Sequence, residues 1–151
     1  MKISNYLNEN LIKLELESKT KDEAIKELGV LMEGLEDITD HNGFLKDVFA
    51  REQYASTGIG NEVGIPHART DNVKKFVISF GRSKEGIEFD SIDGKKVKLI
   101  FLMGTPKDTL DHYLQILAHL TRLLKKVNFR DSLNDASTAG DIIELFKSAE
   151  K

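Results

Sequence analysis

Residues 51–67 read REQYASTGIGNEVGIPH. A helical apolar pattern ends in this stretch and extended patterns follow it, so the chain changes its geometry here. Gly58, Gly60 and Gly64 crowd into it, and glycine tolerates positive φ and close backbone approach. A crowded turn is expected. Pro66 then biases Ile65 toward extended geometry, and the turn delivers His67 to whatever lies at its end. A presented histidine is the natural output.

Two familiar glycine motifs do not fit. The spacing Gly58-x-Gly60-x-x-x-Gly64 differs from the G-x-G-x-x-G dinucleotide fingerprint, and a helix precedes it where that motif needs a strand. No Gly-Lys-Ser/Thr follows, which excludes a Walker loop. From spacing alone His67 stays undecided between a site and an ordinary turn histidine.

Upstream, a helical pattern beginning after Asp40 or Asn42 carries Phe44, Leu45, Val48 and Phe49 and ends near Tyr54, with Arg51 and Glu52 in its last turn. Before it, Thr20 and Glu23 form a capping box opening a helix with Ala24, Ile25, Leu28, Leu31, Met32 and Leu35 at helical spacing. Earlier still, LIKLELE at 11–17 alternates apolar and charged residues, the signature of a half-buried strand.

Downstream, KFVISFG (75–81) and KVKLIFLMG (96–104) are rich enough in β-branched and aromatic residues to be interior strands. Asp93-Gly94 supplies a turn before the second. From Asp108 to Lys126 a stripe of Leu110, Tyr113, Leu114, Leu117, Leu120 and Leu124 predicts a helix, with Ile116 and Leu123 at one edge of the stripe. His112 falls just beyond that edge and His119 further into the polar face. Shorter helical material lies around Phe129 to Asn134, and Thr138 with Asp141 resembles a capping box opening a last helix. The expected fold is α/β: a mixed β-sheet flanked by helices, one domain spanning 1–151.

Composition bounds the function. A chain of 151 residues that is 40% hydrophobic is expected to bury about 68–70% of its unfolded surface around one core. A net charge of −3 with mixed signs offers no basic field for nucleic acid. No apolar run approaches the ~18–20 residues needed to span a bilayer, and the N-terminus lacks the apolar region of a signal peptide. A cytoplasmic protein without membrane insertion is expected. Cysteine is absent, which excludes disulfides, thiolate metal sites and cysteine nucleophiles on this chain.

The run STGIGNEVGIPHA, with the arginine before it, resembles the phosphorylation-site signature of the fructose/mannitol-type (type 2) enzyme IIA domains of the bacterial phosphoenolpyruvate-dependent sugar phosphotransferase system. The likeness extends through FDSIDGKKVKLIFLMGTP and through DHYLQILAHLTRLL, which resembles the family's second-histidine helix. Gly64 stands where the family commonly has alanine, and Tyr113 follows the second histidine where leucine is usual. Neither departure removes a reacting group. The resemblance implies the type-2 enzyme IIA fold, a phosphohistidine intermediate, phosphoryl donation by HPr and acceptance by a cysteine of an enzyme IIB. It implies no cofactor and no metal. With no cysteine available for IIB chemistry, the chain is expected to be a free-standing IIA, with IIB and the membrane component IIC on separate chains.

The chemistry agrees with the residue types. A relay needs a nucleophile that is strong at neutral pH and also a good leaving group. Imidazole, with an unperturbed pKa of ~6.5, keeps a lone pair on one ring nitrogen and forms a high-energy N–P bond. His67 is the expected nucleophile, and the resemblance implies attack by Nε2, with Nδ1 held by a local acceptor that the sequence does not identify. The transition state spreads charge over three equatorial oxygens. Arg51 offers a permanent cation with a planar fork. An isolated arginine at that position would cap its own helix; the matching family position implies a site role. Ser56, Thr57 and Gly58 are supporting candidates, through hydroxyl or backbone donors. His112 matches the family's second histidine, implied to neighbour the phosphorylated one, and Arg69 is a secondary cation if its segment stays extended.

Three functions follow from these readings: a carrier in fructose/mannitol-class uptake, a regulatory relative of the nitrogen-branch enzyme IIA type, and a metal site built from His67, His112 and carboxylates. The last is weakest, because no helical H-x-x-x-H or H-x-H spacing is present.

Overall fold

A computed structural model describes residues 2–151. Its strands are β1 (Ile12–Lys13), β2 (Gly58–Gly60), β3 (Val63–Gly64), β4 (His67–Arg69), β5 (Val77–Ile87) and β6 (Val97–Thr105). The helices are α1 (Lys21–Leu31), α2 (His41–Tyr54), α3 (Leu110–Leu124), α4 (Val127–Asp135) and α5 (Ala139–Ala149). The mixed sheet runs β1-β5-β6-β3-β2, with β4 also on β6.

β6 is the axis of the sheet. Along it Leu99, Phe101 and Met103 enter one apolar cluster with α3, α4 and α5, while Ile100 and Leu102 enter a second with α1 and α2. This period of two places helices on both faces and explains why β6 reads as an unbroken apolar run. β5 lies antiparallel on one side, from Val77 opposite Gly104 to Ile87 opposite Val97. On the other side β3 pairs with Leu99 and Ile100, and β4 pairs with Met103 to Thr105. Pro66, which has no N–H to give, stands between those two short strands, and its carbonyl accepts the Met103 amide at 3.0 Å.

The helix starts follow their capping signals. Thr20, Asp40 and Thr138 accept the amides of Glu23, Gly43 and Asp141, and the Thr138–Asp141 pair is a complete capping box. Three expectations change. The strand expected over 11–17 is paired only at Ile12–Lys13. The Glu27 carboxylate on α1 gathers Lys13 Nζ, the amides of Glu17 and Ser18, and the Ser18 hydroxyl, curling the chain around one acceptor. β5 runs on to Ile87, past its expected end at 81, its ladder with β6 shifting register between Arg82 and Ile87, and the Arg82 guanidinium donates to the carbonyls of Leu14, Leu133 and Ala136. Finally, α3 buries Ile116, Leu120, Leu123 and Leu124, whereas Leu110 and Leu114 are 45% and 50% exposed. The buried face is rotated toward what the pattern makes the edge of the stripe.

Candidate functional site

The glycine-rich stretch is a hairpin, β2 against β3, whose tip residues Asn61 and Glu62 have φ of 57° and 65°. Two glycines are needed for different reasons. Gly60 sits at φ 93°, where a side chain would be strained. At Gly64 a Cβ would lie 2.9 Å from the Phe89 ring. The hairpin is closed from below by α2. Glu52, buried in the last turn of that helix, accepts the Thr57 amide at 2.7 Å and the Thr57 hydroxyl at 2.6 Å. Lys21 on α1 supplies the counter-charge to Glu52 at 3.1 Å.

The chain then reaches His67, the first residue of β4, which is only 6% exposed. Its Nδ1 lies 2.8 Å from the Ile65 carbonyl. A carbonyl only accepts, so Nδ1 carries the proton and Nε2 holds the free lone pair. That lone pair is capped: the Tyr113 phenol on α3 donates to Nε2 at 2.8 Å. Burial lowers the His67 pKa below its ordinary value, Arg51 lowers it further, and the Ile65 hydrogen bond and the Glu52 charge oppose them. The ring is therefore neutral at neutral pH. Burial raises the Tyr113 phenol against the pull of Arg51 and Arg69.

Two cations bracket this pair. Arg51 is close enough to act on both His67 and Tyr113, and one of its nitrogens donates to the Ala55 carbonyl at 2.8 Å, the helix-capping contact. Its remaining guanidinium nitrogens make no hydrogen bond among the described residues. Arg69 stacks over the Tyr113 ring at 5.8 Å and donates to the Lys107 carbonyl, so the extended segment does place it on the side of His67.

The other sequence candidates divide. Both Thr57 donors are spent on Glu52. Ser56 donates to the Phe89 carbonyl and accepts the Gly58 amide at 3.0 Å. In this structure these three residues build the turn and do not present donors to it. His112 is half-buried, with its ring 6.5 Å from those of Tyr6 and Phe76, and makes no hydrogen bond among the described residues. Its neighbour Tyr113 is the α3 residue in contact with His67. Asp93 is a turn residue accepting the Asn61 and Lys95 amides. His119 pairs with Glu150, and His41 with the Gly29 carbonyl.

Sequence reasoning missed Ile65 and Glu52 as site residues. Ile65 acts through its carbonyl, which no side-chain identity reports. Glu52 left one signal, a lone carboxylate in the last turn of a helix, where the macrodipole disfavours it unless it has a partner.

The family "Phosphoenolpyruvate-dependent sugar phosphotransferase system, EIIA 2" matches residues 5–149. The chain belongs to this family. As an EIIA it is a phosphotransferase component, and its mixed sheet with flanking helices is the type-2 architecture. It is 39% identical over 136 residues to the fructose-specific EIIA component of Haloferax volcanii, covering 90% of this chain and 88% of that one. It is 33% identical over 151 residues to the fructose-specific EIIABC component of Bacillus subtilis, of whose length it spans 24%. The crystal structure of nitrogen regulatory protein IIA-Ntr from Neisseria meningitidis superposes with a TM-score of 0.89 at 33% identity, covering 95% of this EIIA and 98% of that chain. Among the described residues, no helix is long and apolar enough to cross a membrane.

Proposed function

We propose that this EIIA carries phosphate on His67. Nε2 takes the phosphoryl group from phospho-HPr and passes it to the cysteine of an enzyme IIB in fructose/mannitol-class sugar uptake. The observation that carries this reading is the Nδ1–H to Ile65 carbonyl contact, which fixes the tautomer and leaves Nε2 as the nucleophile. Arg51 answers the charge spread over the equatorial oxygens, using the guanidinium nitrogens that its helix leaves unspent. Arg69 adds a second positive charge, and His112, next to Tyr113 on α3, takes its supporting role from the family's second histidine, whose position it matches.

The acceptor cysteine lies outside these 151 residues, which contain none. The Bacillus relative, named for EIIA, B and C together, supports IIB as the next station. Residues 1–151 act as one EIIA unit in this reading, and the relay runs in the cytoplasm, where phosphoenolpyruvate is made. The likeness to the Neisseria nitrogen regulatory protein supports a second reading. In that reading the same phosphohistidine governs partner binding and is not handed to IIB.

Incubation with phosphoenolpyruvate, enzyme I and HPr tests the first step. The protein should gain one acid-labile, alkali-stable phosphoryl group, and a folded His67→Ala variant should gain none. Label retained by that variant ends the assignment. Subsequent loss of label to a fructose-class IIB supports the carrier, whereas label that no IIB removes favours the regulatory reading.

A further inference from the structure

The reaction proposed for His67 needs a phosphorus atom to come within about 3–3.5 Å of Nε2 along its lone pair before bonding. That place is taken. The Tyr113 oxygen stands 2.8 Å from Nε2 as a hydrogen-bond donor, and His67 is 6% exposed beneath it. The phenol is held there from two sides. Its ring lies 5.5 Å from the imidazole, and the Arg69 guanidinium covers it at 5.8 Å while anchored to the Lys107 carbonyl. The phenol stays protonated at neutral pH, since burial raises its pKa, so it remains a donor to the nitrogen that must react.

We propose that Tyr113 is a gate on the nucleophile: its hydroxyl occupies the Nε2 lone pair in the unphosphorylated protein and must leave that nitrogen before a phosphohistidine donor can transfer to it. The proposal rests on the reading of His67 as the acceptor. Transfer breaks the donor's N–P bond, whose electron pair stays on the donor nitrogen, and forms a new bond from the Nε2 lone pair to phosphorus. Nδ1 keeps its proton toward the Ile65 carbonyl. The phenol keeps its own proton throughout and turns away from Nε2, so its contribution is competition for the lone pair and not proton transfer. Tyr113 is therefore a positioning residue that sets how often the nucleophile is free. Half-buried on the first turns of α3, it can swing outward without disturbing Ile116 and Leu120, which hold that helix to the sheet.

Tyr113→Phe keeps the ring and removes the hydroxyl. In the unphosphorylated variant the His67 Nε2 nitrogen resonance should move toward that of an unbonded imidazole nitrogen while Nδ1 stays protonated, and diethyl pyrocarbonate should modify His67 faster. With limiting phospho-HPr, the initial rate of acceptance should rise about fivefold, the factor that one ordinary hydrogen bond represents. An unmoved Nε2 resonance, unchanged reactivity toward diethyl pyrocarbonate, or an unchanged or slower acceptance rate overturns the gate. Absence of label on His67 in the unsubstituted protein is a different failure: it removes the carrier reading, and the gate with it.

Discussion

Glu52 holds Thr57 by both of that residue's donors, the amide at 2.7 Å and the hydroxyl at 2.6 Å, across a gap of five residues. This double bond of contacts turns the end of α2 into the base of the β2–β3 hairpin. Because Glu52 is 6% exposed and faces Lys21 at 3.1 Å, removing its charge leaves a part-buried ammonium without its partner. Glu52→Gln should therefore cost about 1–3 kcal/mol, and Glu52→Ala about 3–5 kcal/mol. Urea midpoints of the two variants measure this. A Glu52→Ala midpoint equal to that of the unsubstituted protein would mean the hairpin is held by other contacts.

Much of this arrangement is legible in the chain itself, and the exceptions share a cause. The caps at Thr20, Asp40 and Thr138, the runs that become β5 and β6, and the turn that delivers His67 are all local patterns, and local patterns survive folding. What the sequence conceals depends on a distant partner. The strand expected at 11–17 shortens because Glu27, ten residues past Glu17, draws the backbone around itself. The α3 stripe rotates because the sheet meets Ile116 and Leu123, leaving Leu110 and Leu114 outside. Thr57 reads as a free hydroxyl until Glu52 is seen to face it. Tyr113 shows in the sequence as one member of the α3 stripe and as a departure after His112, since nothing local says that α3 will lay it on His67.

The His67 ring should titrate below its ordinary value of 6.5, because burial and the nearby Arg51 charge disfavour the imidazolium more than the Ile65 carbonyl and Glu52 favour it. A lowered value keeps Nε2 unprotonated as pH falls through 6.5, and acceptance capacity is lost only at more acidic pH. Heteronuclear titration of the histidine ring signals gives the midpoint directly, together with the tautomer. A midpoint above 6.5, or a ring protonated at Nε2 when neutral, would contradict the site geometry.

Gly64→Ala places a methyl group 2.9 Å from the Phe89 ring, which is fully buried and has no free direction in which to move. The substitution should destabilise by about 1–3 kcal/mol, the range for an overpacked core. Pairing it with Phe89→Leu should recover part of that loss, and a double-mutant cycle in urea reads the coupling. Strict additivity of the two changes would show that the ring and the glycine do not constrain one another.

Acid should loosen the molecule through two carboxylates. Burial opposes ionisation of Glu27, yet Lys13, Ser18 and the amides of Glu17 and Ser18 hold it down to about 2. Burial likewise opposes ionisation of Glu150, while His119 and the amides of Ser4 and Ile3 hold it below its ordinary 4.5. A carboxyl lowered in the fold stabilises the fold fully above its unfolded value, and this stabilisation is lost as pH falls through the folded value. Unfolding free energy should therefore drop by a few kcal/mol, on the order of 2–4, between about pH 5 and pH 2. Glu27→Gln should flatten that limb in urea titrations at stepped pH. An equally steep limb in the variant would remove Glu27 from the account.

The final prediction concerns the surface that meets the partners. Leu110 and Leu114 lie on either side of Tyr113 along α3, 45% and 50% exposed, and Tyr54 follows Arg51 at the end of α2, 88% exposed. These exposed apolar side chains lie on α2 and α3, the two helices that carry Arg51 and Tyr113. A relay through one nitrogen requires donor and acceptor to approach the same phosphorus in turn, so HPr and IIB should cover the same patch and compete for it. Each contact should be small, below about 1,200 Å² in total, and short-lived. Leu114→Ser should weaken both contacts, raising KM for phospho-HPr several-fold while leaving the single-turnover rate at saturation close to that of the unsubstituted protein, since the half-exposed Leu114 side chain brings no donor, acceptor or charge to His67. Amide shifts on titrating HPr or IIB into labelled protein map the footprints. Two separate footprints, or a ternary complex with both partners bound, would argue against a single-site relay and for the regulatory reading.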